Sequence, residues 1–157
     1  MEAQVPPGLV NGFFKAYAAR DFQTVLDYLS DDVDWIFPGP VDVFPFCGRW
    51  RGKAAVIEHF ARRAPALFSI RRMELEALLI DGDRAASFSK MTATEQGSER
   101  ILAFHCAHFV TVRGGKVASL LAVADTFGLL DQLQDVQIMI DPRHAPLADR
   151  FRKVVLP

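Results

Sequence analysis

Two residues in the last third of the chain, His105 and Asp125, have the side chains that proton transfer requires. A histidine gains and loses a proton near neutral pH, and a carboxylate can orient it or act as the base itself. Both lie in a mainly apolar stretch, where an ionisable group is costly to bury unless it is paired. The residues therefore predict a catalytic pair. The alternative is a core histidine with satisfied hydrogen bonds and an aspartate that caps the following helix.

The stretch that carries this pair predicts a long β-hairpin from Ile101 to Phe127. Gly114-Gly115 in its middle favours a two-residue turn between antiparallel strands. Counting outward from that turn, the residue opposite His105 is Ala124, which is one step from Asp125. A regular pairing would put the two side chains on opposite faces of the sheet, whereas a β-bulge would put them on the same face.

The other three histidines are predicted to have structural or surface roles. His108 is three positions from His105, so the two point to opposite faces of a regular strand and at most one of them faces a pocket. We take His108 as the structural one. His59 lies at the edge of an apolar helix stripe, which favours a position at the rim or on the surface. His144 is expected to be solvated.

Composition excludes several classes of function. The 157 residues fit one domain, half of them are apolar, and thirteen are phenylalanine. A net charge of −1 with both signs mixed argues against a nucleic-acid surface. No apolar run reaches the roughly 20 residues that span a bilayer, and the N-terminus lacks the features of a signal peptide. We therefore expect a cytoplasmic protein without a membrane or nucleic-acid partner.

The sequence also predicts no metal and no cofactor. Cys47 and Cys106 are expected to be free thiols, because neither has the spacing of a metal ligand and the expected compartment is reducing. The motifs of P-loop, dinucleotide-binding, zinc-protease and serine-hydrolase sites are missing. Nucleophilic serine chemistry, nucleotide hydrolysis and zinc hydrolysis are therefore disfavoured.

The periodicity of apolar residues predicts helices first and strands later. Helices are expected from Leu9 to Ala18, after Asp21 as an N-cap, and from Lys53 to Ala64, and a short one from Gly128 to Leu133. Strands are expected over Val33–Phe37, Ile70–Ile80 and Ala85–Thr94 and in the two arms of the hairpin. Three N-terminal helices followed by a strand meander indicate an α+β fold with a curved antiparallel or mixed sheet.

The segment from Pro38 to Gly52 predicts part of a ligand pocket. It contains several prolines and glycines together with Phe44, Phe46 and Trp50. So many large apolar side chains must pack against something, either as a lid over a cavity or as a loop on the core. Tyr17 and Trp35 could present a polar tip at the mouth of an apolar cavity, with core packing as the alternative.

Three stretches resemble the SnoaL-like branch of the nuclear transport factor 2-like superfamily, which is close to the ketosteroid isomerases. The resemblance covers roughly Leu9 to Gln134 and is carried by AYAARDFQTVLDYLSDDVDW, GRWRGKAAVIEHF and HFVTVRGGKVASLLAVADTFGLLDQL. It implies a cone of three helices against a bent sheet, a pocket between them, and a homodimer formed through the sheet. It also implies one domain over residues 1–134 and an extension over 135–157, which packs on the domain or on a partner.

The resemblance assigns roles to single residues. Asp125 matches the acid/base aspartate that closes the last strand of the SnoaL-like cyclases. Three ketosteroid isomerase residues are replaced: the oxyanion tyrosine by Phe13, the base aspartate by Phe37, and the protonated aspartate by Ala107. Steroid isomerisation by that mechanism is therefore not expected.

Two functions remain open. The first is cofactor-independent proton transfer, of the isomerase, cyclase or lyase type, on a small hydrophobic carbonyl compound. Asp125 would be the base, and His105 would be its partner or an oxyanion donor. The second is a non-catalytic module that binds a hydrophobic ligand or dimerises. In both cases the expected ligand contacts are Tyr17, Trp35, Phe37, Phe46, Trp50, Phe60 and Ala107.

Overall fold

The computed structural model describes residues 6–134, which contain four α-helices. Their bounds are α1 Pro7–Ala18, α2 Phe22–Tyr28, α3 Lys53–Glu58 and α4 Thr126–Gln134. The chain continues from α3 through a π-helical turn, His59–Arg63, and a 3₁₀ turn, Ala64–Ala66. The three predicted N-terminal helices are therefore present, but the third changes its winding after Glu58. No helix within these residues is long and apolar enough to cross a membrane.

Six strands form one curved, unclosed mixed sheet. They are β1 Leu29–Phe37, β2 Gly48–Arg51, β3 Phe68–Asp81, β4 Arg84–Glu95, β5 Ile101–Arg113 and β6 Lys116–Ala124. The order across the sheet is β2-β1-β6-β5-β4-β3, and only β1 and β6 run parallel among these neighbours. The predicted α+β fold with a curved mixed sheet is confirmed.

Local chemistry accounts for the helix ends. Asp21 caps α2 as its position predicts, because its carboxylate accepts hydrogen bonds from the Thr24 backbone nitrogen at 3.2 Å and from the Thr24 hydroxyl at 2.6 Å. On α1, the apolar side chains at helical spacing are buried against the sheet, where the Phe14 ring lies 6.0 Å from the His108 ring of β5.

Two segments differ from the sequence-based expectation. Strand β1 begins at Leu29, directly after α2, whereas the sequence predicts its start at Val33. The segment from Pro38 to Gly52 contains the short strand β2, which pairs with β1 through Trp35 and Trp50. Phe44 and Phe46 are buried, so this segment packs on the core.

Strand β5 divides the sheet into two faces by its period of two. Its even-numbered residues from Leu102 to Val112 are buried, whereas its odd-numbered residues are exposed or half-buried. The hairpin has the predicted register next to Gly114-Gly115, and then a bulge at Thr111–Val112 shifts it by one residue. As a result the Asp125 backbone nitrogen bonds to the His105 carbonyl at 3.2 Å, so the two residues lie opposite each other.

The outer face of the sheet, away from the helices, carries two apolar rows that run across β3, β4, β5 and β6. One row is Ala77, Phe88, Ala107 and Val123, and the other is Leu79, Ala86, Phe109 and Leu121. Leu79 is 70% exposed and Phe109 is 51% exposed. Contiguous apolar patches of this kind usually mark an interaction surface. The predicted extension over residues 135–157 lies outside the described residues.

We expect this outer face to join two copies of the chain. Phe109→Glu should convert a dimer to a monomer, because an interface of standard size buries roughly 800 Å² per partner and tolerates no unpaired charge at its centre. Sedimentation equilibrium of both proteins at micromolar concentration measures the change.

Ile57→Glu is the matched control for this substitution. Ile57 is also half-exposed and apolar, but it lies on α3 and not on the outer face of the sheet. The variant should remain dimeric. A monomeric wild-type protein would contradict the prediction.

Candidate functional site

A cavity of about 210 Å³ lies between the helices and the inner face of the sheet. It is smaller than the roughly 300–1,000 Å³ of pockets for drug-sized ligands, so it suits a small molecule. Its walls come from the α1–α2 turn, the end of β1, the segment before β2, the π-helical turn, and strands β3, β4 and β5.

Seven phenylalanine and tyrosine side chains line the cavity. They are Tyr17, Phe22, Phe37, Phe46, Phe60, Phe68 and Phe104. One wall is a chain of rings from β1 to β5, in which the Phe37–Phe46, Phe46–Phe68 and Phe68–Phe104 centroids are 4.9, 5.2 and 5.7 Å apart. The second wall joins Phe60 to Phe22 at 4.1 Å and to Tyr17 at 6.1 Å. A flat apolar molecule fits between two such walls.

Five further lining residues have polar side chains, and the remainder are apolar. The polar ones are Arg20, His59, Ser69, Cys106 and His108. Within residues 6–134, no aspartate or glutamate lines the cavity. The cavity is therefore rich in hydrogen-bond donors and holds no anionic base.

Tyr17 is buried, and its hydroxyl stays protonated at neutral pH. Burial raises the pKa of Tyr17 to about 12, although the nearby Arg20 charge opposes the rise. Burial likewise lowers the pKa of Arg20, with Tyr17 acting in the opposite direction. The Arg20 carbon Cζ is 4.4 Å from the centroid of the Phe22 ring and 5.8 Å from that of Tyr17. The guanidinium thus sits against two rings of the second wall.

His59 enters the cavity because the chain widens into a π-helical turn there. Both His59 and the adjacent Phe60 are buried, although adjacent side chains on an α-helix point about 100° apart. Such turns are frequent at functional sites. The His59 ring lies 4.0 Å from Trp50, and its Nδ1 atom has no hydrogen-bond partner among the described residues. Burial, helped by the charges of Arg20 and Arg63, lowers the pKa of His59 to about 4.

His108 is fully buried and has partners at both ring nitrogens. Nδ1 lies 3.2 Å from the Ser87 hydroxyl, and Nε2 lies 3.5 Å from the Cys106 sulfur. Burial lowers the pKa of His108 to about 4 and raises the pKa of the Cys106 thiol to about 12. The thiol is therefore a poor nucleophile at neutral pH, and the imidazole is held neutral by its neighbours.

Four of the seven ligand contacts expected from the sequence line the cavity: Tyr17, Phe37, Phe46 and Phe60. Trp35 and Trp50 are buried behind the walls, where Trp35 packs 5.1 Å from Phe60.

Ala107 is on the outer face of the sheet. Its cross-strand neighbours are Phe88 and Val123, both partly exposed. The resemblance gave Ala107 a site position, whereas the period of β5 turns it away from the cavity.

His105 also lies on the outer face, because it shares the odd-numbered parity of β5. Its ring stacks on Phe88 at 4.9 Å, and its Nε2 atom is 3.6 Å from a carboxylate oxygen of Glu76. The side chain is half-exposed and does not line the cavity. His105, which the sequence favoured as the catalytic histidine, therefore contacts Glu76 on the outer face. The histidine of β5 that lines the cavity is His108.

Asp125 caps α4. Its Oδ1 atom accepts a hydrogen bond from the Gly128 backbone nitrogen at 2.8 Å, and the side chain is exposed. A Cβ atom on Gly128 would lie 2.3 Å from Oδ2, so the glycine lets the carboxylate approach the helix end. Asp125 does not line the cavity either. His105 and Asp125 are neighbours through their backbones, but neither side chain reaches the enclosed space.

Sequence reasoning missed Arg20 and assigned His59 to the rim. A signal for His59 was present, because Val56, His59 and Phe60 follow the i, i+3, i+4 spacing of a buried stripe. No comparable signal exists for Arg20, which lies between two helices at a position where glycine is usual.

Comparison with known proteins gives a family match and many fold matches. The family model of the SnoaL-like domain matches residues 10–120. Comparison with curated proteins found no significant match. Among solved structures, the chain is similar to the "Putative Isomerase from Rhodopseudomonas palustris", with 31% identity, coverage of 79% of this chain and 91% of that chain, and a TM-score of 0.66.

Two further solved structures share the fold. An NTF2-like protein of unknown function from Burkholderia pseudomallei is 21% identical, with 80% and 95% of the two chains covered and a TM-score of 0.71. An LEH-like epoxide hydrolase of M. tuberculosis is 18% identical, with 80% and 86% covered and a TM-score of 0.61.

The two buried histidines predict a loss of stability on acidification. Their pKa values of about 4 in the folded protein lie below the 6.5 of an exposed histidine. Between these values the unfolded chain binds more protons, so stability falls as the pH is lowered. From pH 7 to pH 5, each histidine should remove about 2 kcal/mol from the free energy of unfolding. Urea titrations at both pH values measure this change.

His59→Gln should remove about half of that pH dependence, since the variant keeps a polar side chain but no longer titrates. Equal free energies of unfolding at pH 7 and pH 5 in the wild type would contradict the neutral, buried state of both imidazoles.

The cap at Asp125 predicts a selective effect on stability. Asp125→Ala should lower the free energy of unfolding by about 1 kcal/mol, because α4 loses its N-cap. Asp125→Asn should lower it by a few tenths of a kcal/mol at most, because asparagine is also a good N-cap. Thermal and urea unfolding of the two variants give the comparison. Equal losses in both would mean that the charge, and not the cap, is what stabilises the fold.

Proposed function

From the premise that the chain belongs to the SnoaL-like domain family, we propose that its cavity binds a small, mainly apolar carbonyl compound and transfers a proton on it. The reaction would be of the isomerase, cyclase or lyase type and need no cofactor. One observation carries the proposal: a cavity of about 210 Å³ with aromatic walls, whose polar groups come from α1, the α1–α2 turn, the π-helical turn, β3 and β5. A cytoplasmic location remains part of the proposal.

Binding would come from the two aromatic walls. A flat ligand between the Phe37–Phe104 wall and the Phe22–Phe60 wall exchanges water contacts for ring contacts. Burial of apolar surface is worth roughly 25 cal/mol per Å². This term acts equally on substrate and transition state, so it sets affinity rather than rate.

Rate would come from Tyr17 and His59. The protonated Tyr17 hydroxyl is a hydrogen-bond donor for a carbonyl oxygen, and this bond strengthens as negative charge develops there. The neutral His59 ring, whose Nδ1 has no hydrogen-bond partner among the described residues, would be the proton acceptor. His59 would remove a proton from the carbon next to the carbonyl and return it at another position. The developing enolate charge then favours the imidazolium.

His59 is a better candidate for the base than Asp125, because the Asp125 carboxylate is exposed and engaged in the cap of α4. His108 is a weaker candidate than His59, because both of its ring nitrogens already have partners.

A second function is favoured by the missing carboxylates. Among the described residues, the cavity lining contains no aspartate or glutamate, and both of its imidazoles have pKa values of about 4. A weak base suits a binding protein as well as an enzyme. In this alternative the chain carries a hydrophobic ligand without changing it.

Exchange of carbon-bound hydrogen for deuterium separates the two functions. Small aromatic ketones, such as 2-tetralone and 1-indanone, are incubated with the protein in D₂O and followed by NMR. An enzyme of the proposed kind should accelerate exchange at the carbon next to the carbonyl. His59→Gln should reduce the rate by about 10²–10⁴, and Tyr17→Phe should reduce it with little change in ketone affinity.

Asp125→Asn and His105→Gln are the matched controls, and both should exchange at the wild-type rate. A loss of exchange in Asp125→Asn with none in His59→Gln would overturn the assignment of the base. Ketones that bind without enhanced exchange would support the carrier function.

A further inference from the structure

Arg20 occupies a backbone conformation that disfavours any side chain. Its φ is +60°, and it is the only residue other than glycine with a positive φ among the described residues. The Arg20 nitrogen bonds to the Tyr17 carbonyl at 3.1 Å, and the Asp21 nitrogen bonds to the Ala16 carbonyl at 3.0 Å. These two bonds define a Schellman motif with Arg20 at the position that glycine usually fills. The fold alone therefore does not favour an arginine here.

The arginine charge has no anionic partner in the described part of the chain. No salt bridge joins Arg20 to a carboxylate of residues 6–134. The carboxylate of the next residue, Asp21, is occupied by Thr24 in the cap of α2. The guanidinium instead lies against the rings of Phe22 and Tyr17, at the wall of the cavity. A partly buried cation without an anion is costly, and a ligand anion would offset that cost.

The rest of the polar lining also suits an anion. His59, 3% exposed, lines the same cavity and has no hydrogen-bond partner for its Nδ1 among the described residues; burial first, and then the Arg20 charge, lower its pKa. Tyr17 adds a protonated hydroxyl. Donors and one positive charge thus face a space that, among the described residues, contains no acid.

We propose that the natural ligand of the cavity is an organic carboxylate, with its flat apolar body between the two aromatic walls and its carboxylate paired with Arg20. This inference rests on the proposed function of the cavity and names the substrate class. The planar guanidinium can donate two parallel hydrogen bonds to a carboxylate, which fixes the orientation of the ligand as well as its charge. The substrate would then be a small carbonyl compound that also carries a carboxylate.

Pairing at Arg20 also acts on His59. The Arg20 charge is one cause of the low pKa of His59, so neutralising it raises that pKa and makes the imidazole a stronger base. The bound carboxylate would in this way prepare the proton acceptor that the proposed reaction uses.

A matched pair of ligands tests the inference directly. Cinnamate and cinnamamide have nearly the same shape and differ in charge. Their affinities are measured by NMR titration with the wild type, with Arg20→Gln, and with Arg62→Gln as the control at an exposed arginine outside the cavity lining. We expect cinnamate to bind wild type at least about tenfold tighter than cinnamamide. Arg20→Gln should abolish this difference by weakening the binding of cinnamate at least about tenfold, and Arg62→Gln should behave as wild type.

Ala64→Leu shows whether binding occurs in the cavity, because Ala64 lines it and a larger side chain there reduces its volume. Both ligands should bind this variant more weakly. Equal affinities of the two ligands for wild type, or a difference that survives Arg20→Gln, would overturn the carboxylate inference. Binding of cinnamamide would still support the apolar cavity as the ligand site. Binding of neither ligand, or binding unaffected by Ala64→Leu, would overturn the proposed function and this inference with it.

Discussion

The alternation of side chains along β5 is the constraint on which the two functional surfaces depend. Because successive residues of a strand point to opposite faces, Phe104, Cys106 and His108 contribute to the cavity, while His105 and Phe109 belong to the outer face. The bulge at Thr111–Val112 shifts the pairing with β6 by one residue and so decides which residues of β6 share each face. One strand thus supplies the floor of the ligand cavity and the centre of the proposed contact between copies.

Desolvation sets the protonation states of the side chains that line the cavity. Burial keeps Tyr17 and Cys106 protonated and His59 and His108 unprotonated at neutral pH, because each charged form would lie in an apolar surrounding. Arg20 stays charged, since a guanidinium does not lose its proton in proteins. The cavity therefore combines neutral hydrogen-bonding groups with one positive charge, and its electrostatic preference is for a ligand with negative charge.

Periodicity made most of the fold predictable from the sequence. The α1 stripe, the Asp21 cap, the Gly114-Gly115 turn and the alternation of the strands each depend on local rules, and the structure follows them. The site was less predictable. The alternation of side chains along the strand predicted that at most one of His105 and His108 faces the cavity. Which of the two does so depends on how the sheet packs against α1, and that contact joins segments far apart in sequence.

The same reason explains the other differences at the site. The spacing of His59 from Val56 fits a buried stripe, but no single residue type signals the π-helical turn that begins at His59. Arg20 faces the cavity from a left-handed position where sequence rules expect glycine. Phe37 and Phe46, in contrast, were predictable as lining residues, because large apolar side chains at a strand end and in a proline-rich segment must be covered.

The position of Arg20 connects the weakness of the proposed base to the identity of the ligand. Burial and the charges of Arg20 and Arg63 favour the neutral form of His59, which avoids an unpaired imidazolium in the core. A ligand carboxylate beside Arg20 would cancel part of the positive potential at His59, and an enolate formed nearby would cancel more of it. In the proposed reaction, the energy of protonating His59 would therefore fall as the ligand binds and again as the enolate forms, so the stabilisation would be greater in the transition state than in the ground state. An interaction of this kind raises the rate and not only the affinity. A cavity without a carboxylate base can in this way support proton transfer, provided that the ligand brings the negative charge with it.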